Sequence, residues 1–201
     1  MPNEIGQGDS THTVGAIIVG LPEWRTTAFI GLGRNPAAMT LIIRAAVVGD
    51  DEILARLNRF VHDLHLLQRP EHFKPTQSLE LADWYDSLLQ SSTARLWIAE
   101  VDGQAAGYLS AVLHQQLENP FARARNWWEI DQIAVDPTYR RKGIARSLIV
   151  EALNEARAQG IHQVEAVSWS FNNDIQEVLR RLGFVPKTIR FEWKASRQTT
   201  N

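Results

Sequence analysis

The chain has 201 residues, 44% of them apolar and 22% charged, and it contains no cysteine. That excludes disulfides, thiolate-bound metals and a cysteine nucleophile; nothing asks for an oxidising compartment, so a cytoplasmic location is expected. Lys and Arg number 21 against 23 Asp and Glu, a balance that argues against a nucleic-acid partner.

Residues 1–38 stand apart. They hold six of the 12 glycines and three of the eight prolines, and their apolar residues follow no sustained period. Their most apolar run, Thr13 to Pro22, is far short of the roughly 20 apolar residues a membrane helix needs. The charges before it are Glu4 and Asp9, not the basic start of a signal peptide. No membrane association is expected. The segment reads as a poorly ordered extension with Met39 opening the domain; the alternative is a small added strand over Ala16 to Val19.

Regular patterning begins at Met39, and Thr40 to Ala45 reads as a strand turned by Gly49-Asp50. From Asp51 the positions Ile53, Leu54, Leu57, Phe60, Val61 and Leu64 recur at helical spacing, and Leu79 to Leu89 reads as a second helix after Pro75. Ala94 to Val101 and Gln104 to His114 flank Asp102-Gly103, a strong hairpin signal. Leu117 to Asn126 is a loop, and Trp127 to Val135 is a strand ended by Asp136-Pro137. A helix runs from about Gly143 to Gln159, with Ile144, Ala145, Leu148, Ile149, Ala152, Leu153 and Ala156 on one face and Gly160 as its cap. Ile161 to Trp169 is a strand, Asn172 to Leu182 a short helix stopped by Gly183, and Phe184 to Trp193 a last strand. The order β-α-α-β-β-β-α-β-α-β predicts a mixed-sheet α/β domain over residues 39–194, followed by a tail over 195–201.

Chemistry concentrates between Ile130 and Arg146. A strand ends there, a basic loop follows, and Gly143 opens a long helix. Free N–H groups at a helix start bind anions, and Arg140, Arg141, Lys142 and Arg146 add charge suited to a pyrophosphate. Known nucleotide fingerprints are absent: there is no Gly-x-x-x-x-Gly-Lys-(Ser/Thr), and Pro36 spoils the dinucleotide pattern after Gly31-x-Gly33. By period two, Trp127, Glu129, Asp131, Ile133 and Val135 share one side of their strand. Glu129 and Asp131 are the candidate proton acceptors; the competing reading pairs them with Arg123 or Arg125.

Arg140-x-x-Gly143-x-Ala145 matches the (Gln/Arg)-x-x-Gly-x-(Gly/Ala) motif of the GNAT superfamily, the acyl-CoA-dependent N-acyltransferases. Ile130 to Pro137 resembles that family's fourth strand, Asn172 to Phe184 resembles its last helix and strand entry, and the element order agrees. The resemblance implies a GNAT fold, with a mixed, mostly antiparallel central sheet, splayed fourth and fifth strands and flanking helices. It implies an N-acetyltransferase that moves an acetyl group from acetyl-CoA directly to a primary amine of a small molecule or peptide, without a metal. Pantetheine would lie in the splay against Ile133, Ala134 and Val135. Arg140 would start the pyrophosphate cradle formed by Arg141, Lys142, Gly143, Ile144, Ala145 and Arg146, and Asn172 would sit beside pantetheine. Glu129 or Asp131 would be the base, and an N–H near Val135 would face the oxyanion. Homodimers are common in the family, which leaves one open here.

The family's last helix reads Asn-x-x-Ala-x-x-Phe-Tyr-x-x-Leu-Gly-Phe, and its tyrosine protonates the departing thiolate. Here Leu179 holds the tyrosine position and Val178 the phenylalanine position, so that role does not transfer; Ser168, Ser170 and Tyr139 are the nearby hydroxyls that remain. This departure keeps a second reading open, an acyl-CoA-binding sensor or partner module with little turnover. The acceptor side maps to His62 to Gln77 and Leu117 to Asn126. His62 and His65 are expected on a wet helix face, and Trp84, Trp97 and Trp128 in the core.

Overall fold

Five strands lie side by side in the order of the chain. The computed structural model describes residues 39–194, and the readings made for 1–38 and 195–201 fall outside the described residues. The elements are β1 (Leu41–Ala45), α1 (Asp51–Gln68), α2 (Ser78–Leu89), β2 (Ala94–Val101), β3 (Gln104–Gln116), β4 (Arg125–Val135), α3 (Ile144–Ala158), β5 (Val164–Ala166) and α4 (Asn173–Arg181). β1 to β4 pair antiparallel and β5 pairs parallel to β4, the mixed sheet expected. Asp102 and Gly103 turn β2 into β3 with φ of 50° and 79°, the hairpin that matches strand twist.

The helices divide between the two faces. Leu54 and Leu57 of α1 and Tyr85 of α2 pack on Leu96, Ile98 and Tyr108. Ile144, Leu148, Ile149, Ala152 and Ala156 of α3 pack on Trp97, Leu109, Ala111, Trp128 and Ile130. The α3 set is the face its apolar period marks. Leu54, Leu57, Leu148 and Ile149 are each 0% exposed, and burial of such a side chain contributes about 1.5–3 kcal/mol.

One irregularity changes the reading of β4. Ser110 faces Gln132 and Ala111 faces Ile130, so Asp131 is an extra residue without a partner on β3. This β-bulge moves the alternation by one residue. Trp128 and Ile130 before it, and Ile133 and Val135 after it, all pack toward α3. Gln132 and Ala134 turn toward α1 and α2. The single side expected for Trp127, Glu129, Asp131, Ile133 and Val135 is therefore corrected: Glu129 and Ile133 lie on opposite faces.

β4 and β5 pair only from Trp128–Val164 to Ile130–Ala166. One long bond follows, Val167 N–H to the Ile130 carbonyl at 3.4 Å, and β4 then continues to Val135 without β5 beside it. The two strands splay as expected. β5 is much shorter than Ile161 to Trp169, because Ile161 still closes α3 (its N–H bonds the Ala156 carbonyl at 2.8 Å) and β4 has already diverged after Ala166.

The last strand expected over Phe184 to Trp193 does not form. Its alternation is real, but a strand needs a partner edge, and Pro186 removes one donor. Ion pairs hold the segment instead, from Lys187 to Glu165 and from Glu192 to Arg69 at 2.6 Å. Ile189, Phe191 and Trp193 stay exposed.

At the other sheet edge, Arg44 grips Asp50 through two bonds of 2.7 and 2.9 Å and Glu100 through one of 2.7 Å. This ties β1 and β2 to the start of α1. The Arg44 hydrogen bond, opposed by burial and aided by the Val47 N–H, holds the Asp50 carboxyl below the usual range. A depressed folded pKa gives stability that is present above the unfolded pKa and lost as pH falls through the folded value. Chemical denaturation is thus expected to show an acid limb below about pH 4 that flattens in Asp50→Asn. Among the described residues, no helix is long and apolar enough to cross a membrane.

Candidate active site

Where β4 ends, the chain folds on itself. The Asp136 carboxylate accepts from the Thr138 N–H at 2.9 Å and its hydroxyl at 2.7 Å, shaping a short 3-10 turn over Pro137–Tyr139. The Arg140 side chain donates back to the Val135 carbonyl at 3.2 Å. Arg141 and Gly143 then take positive φ, 61° and 80°. Left-handed residues in such a turn aim successive N–H groups to one side and form an anion-binding concavity. It runs directly into the first turn of α3, whose N–H groups have no helical partner. A Cβ on Gly143 would meet nothing within 4 Å, so the concavity is open. Arg141, Lys142 and Arg146 are exposed around it, whereas Ile144 is buried and anchors the helix start.

The edge of β4 is the second feature. Asp136 N–H bonds the Ala106 carbonyl of β3 at 2.8 Å. By alternation, the backbone groups of Ile133 and Val135 point the other way, into the gap left by β5. Ala134 does not edge that gap. It faces Tyr108 of β3 and is buried against α1 and α2.

A cleft of about 330 Å³ opens at this gap. Ile130 to Ile133 form its β4 wall, Asn58, His62, His65 and Trp84 come from α1 and α2, and Ser168, Trp169, Asn172 and Leu179 come from the exit of β5 and from α4. Asn172 stands at the N-cap of α4, but its side chain makes no capping bond and lines the cleft. Leu179, 8% exposed, fills the position where a hydroxyl was missed in the sequence. Of the substitute hydroxyls, Ser168 lines the cleft; Ser170 and Tyr139 do not.

The two candidate carboxylates separate. Asp131 lines the cleft. Loss of water raises its pKa, as does the nearby Glu129 charge, while His114 works in the opposite sense. Asp131 itself stays solvent-exposed at the bulge, and its cleft is open to water. Glu129 is not on the cleft wall; it faces His114 at 3.7 Å, and His114 stacks on Trp127 at 5.0 Å. The pairing with Arg125 does not occur, since Arg125 bonds Glu165 at 2.8 Å and lies 3.9 Å over Trp127.

Sequence reasoning missed a buried polar network beside Asp131. The Gln132 side-chain carbonyl accepts from Asn58 Nδ2 at 2.7 Å, Tyr85 at 2.8 Å and Tyr108 at 2.6 Å. Burial pushes both tyrosine hydroxyls far above their ordinary range, so they stay protonated. Polar residues within apolar runs, such as Asn58 between Leu57 and Phe60, were the available signal.

Sequence reasoning also missed an aromatic wall. Phe73 stacks on His65 at 5.0 Å and meets Trp169 edge-on at 5.6 Å. His65 is therefore not on a wet helix face; burial, with the neighbouring His62, lowers its pKa. Trp97 and Trp128 are core residues as expected, but Trp84 is 43% exposed and borders the cleft.

Comparison with known proteins adds three findings. Residues 60–184 match the model of the acetyltransferase (GNAT) family. Human N-acetyltransferase 8 is 23% identical over 187 residues, covering 89% of this chain and 81% of that protein. An uncharacterized N-acetyltransferase, MJ1207 of Methanocaldococcus jannaschii, is 30% identical over 113 residues, 56% of this chain and 49% of that protein. Among solved structures, a tetramutant of the BH1408 protein from Bacillus halodurans superposes with a TM-score of 0.72 at 22% identity, covering 77% of this chain and 99% of that one. An aminoglycoside N-acetyltransferase, AAC(6′)-Iy, solved in complex with CoA, superposes with a TM-score of 0.63 at 21% identity, covering 82% and 99%. These structural likenesses speak to the fold.

Proposed function

Because the chain belongs to the GNAT family and is an acetyltransferase, we propose that it transfers the acetyl group of acetyl-CoA directly to a primary amine. The observation that carries this reading is the cleft through the β4–β5 splay, with a carboxylate on its wall and an anion-binding loop beside it. The residues fit the co-substrate. The concavity from Arg141 to Gly143 suits a pyrophosphate, and the edge formed by Ile133 and the Val135 N–H suits an amide-bearing pantetheine arm, with Asn172 beside it. Acetyl-CoA supplies a thioester carbonyl open to a nucleophile.

An ammonium has no lone pair, so the acceptor must first lose a proton. Asp131 takes it, because it is the carboxylate on the cleft wall and its pKa is shifted upward, which strengthens it as a proton acceptor. A β4 N–H pointing into the gap, at Ile133 or Val135, polarises the carbonyl oxygen. With Leu179 unable to donate, Ser168, which lines the cleft and donates to the Trp169 carbonyl at 3.2 Å, is the hydroxyl that would reprotonate the leaving sulfur, and a thiolate of pKa about 8.5 leaves tolerably near neutrality without help.

The test is to incubate the protein with acetyl-CoA and a broad amine library and to follow free thiol. Amine-dependent release is expected. Acetyl-CoA binding without any release would favour the acyl-CoA-binding module instead. For the loop, Gly143→Glu is expected to weaken acetyl-CoA binding by at least about tenfold, since a side chain at φ 80° strains the backbone and its charge opposes the phosphates. Calorimetry reads this directly, and an unchanged affinity would remove the loop from the site.

A further inference from the structure

We infer that the α1/α2 side of the cleft seats a single ammonium carried on an apolar, aromatic body, with its N–H groups received by Asn58 Oδ1 and the Asp131 carboxylate. The inference rests on the transfer reading and names the acceptor class for it.

The seat begins with an unpaired atom. Asn58 is 5% exposed, and its Nδ2 is committed to Gln132 at 2.7 Å and Tyr108 at 2.8 Å. That leaves Oδ1 buried against the wall with no donor, although Asn58 lines the cleft. A buried acceptor left unmade costs stability, and an amine nitrogen in the cleft would supply the missing donor once a small turn of the Asn58 side chain uncovers Oδ1. Asp131 lines the same cleft. When the proton passes from the ammonium nitrogen to the Asp131 carboxylate, the neutral amine keeps an N–H for Asn58 and frees its lone pair for attack.

The rest of the wall sets the body of the acceptor. His65, Phe73, Trp84 and Trp169 are rings that line the cleft, and among the described lining residues Asp131 is the sole carboxylate and no Lys or Arg appears. A flat apolar group gains contact area on such walls. A second ammonium would find no second carboxylate, and the Arg69 guanidinium already lies 5.1 Å over Trp169. A polycationic acceptor therefore fits this wall poorly.

The test uses the full chain with acetyl-CoA and three amines: 2-phenylethylamine, spermidine and neamine. The expected kcat/KM for 2-phenylethylamine exceeds the other two by at least about tenfold. Asn58→Ala should raise the KM for that amine about tenfold without changing the KM for acetyl-CoA, with a thermal melt confirming the fold. Trp84 is 43% exposed, so Trp84→Ala keeps the test open if the Asn58 variant does not fold; it should raise the amine KM several-fold and leave acetyl-CoA unaffected. Preference for spermidine or neamine, or an unchanged amine KM in Trp84→Ala, would overturn the inference and leave acetyl transfer standing. Absence of thiol release with every amine would overturn both.

Discussion

Asp131→Asn is expected to lower turnover by about 100-fold or more while leaving acetyl-CoA affinity within about twofold. The carboxylate lies on the cleft wall at the bulge of β4, where no strand partner claims it. The wild-type rate should rise with pH through the raised Asp131 pKa, because only the ionised form accepts a proton. That acid limb should vanish in the variant. Asp131 is solvent-exposed, so the same substitution should change stability by no more than about 0.5 kcal/mol, and lost turnover with an unchanged melt would mark a group kept for chemistry. Glu129→Gln supplies the contrast. It should cost less than about fivefold in turnover and move the acid limb to lower pH, since the Glu129 charge helps to raise Asp131. A larger loss in Glu129→Gln than in Asp131→Asn would transfer the role of base to Glu129.

Gly107→Val should destabilise the fold by about 3 kcal/mol and weaken acetyl-CoA binding at the same time. A Cβ at Gly107 would lie 2.8 Å from the Ala134 carbonyl and 3.3 Å from Ile144 Cγ2 and Val135 Cγ2. The first contact is with backbone and cannot yield by a side-chain rotation. β3 must therefore move from β4, and Ile144 carries the disturbance into the first turn of α3. Both walls of the proposed co-substrate site lean on this one glycine. Urea denaturation reads the stability, and calorimetry reads the binding. Gly107→Ala makes the same backbone contact and should fall between wild type and Val; a fully stable Gly107→Val would contradict the close approach.

Much of the architecture was legible because its signals are local. The α3 face from Ile144 to Ala156, the Asp102-Gly103 turn and the turn at Gly143 each depend on residues within a few positions of one another, and each forms where the pattern places it. The candidate site was legible in part. Gly143 and the basic residues around it sit at the helix start, and Asn172 reaches the cleft. The assignment of one strand side to both Glu129 and Ile133 failed, because a period counted along one strand cannot register an extra residue that only the neighbouring strand reveals. The last strand failed for a related reason: Ile189, Phe191 and Trp193 alternate, yet no partner edge receives them.

The sequence by itself determined which segments become helices, where the chain turns, and that a basic loop opens a long helix after a strand, since these follow from propensity, period and capping over short distances. Only the tertiary structure decided that Asp131 and not Glu129 meets the cleft, that Asn58, Tyr85, Tyr108 and Gln132 join in one network, and that Phe73, Trp84 and Trp169 share a wall. Those residues come from separate helices, strands and loops. Their meeting depends on strand register, on the divergence of β4 from β5, and on which face each helix covers, all of which are set by long-range packing.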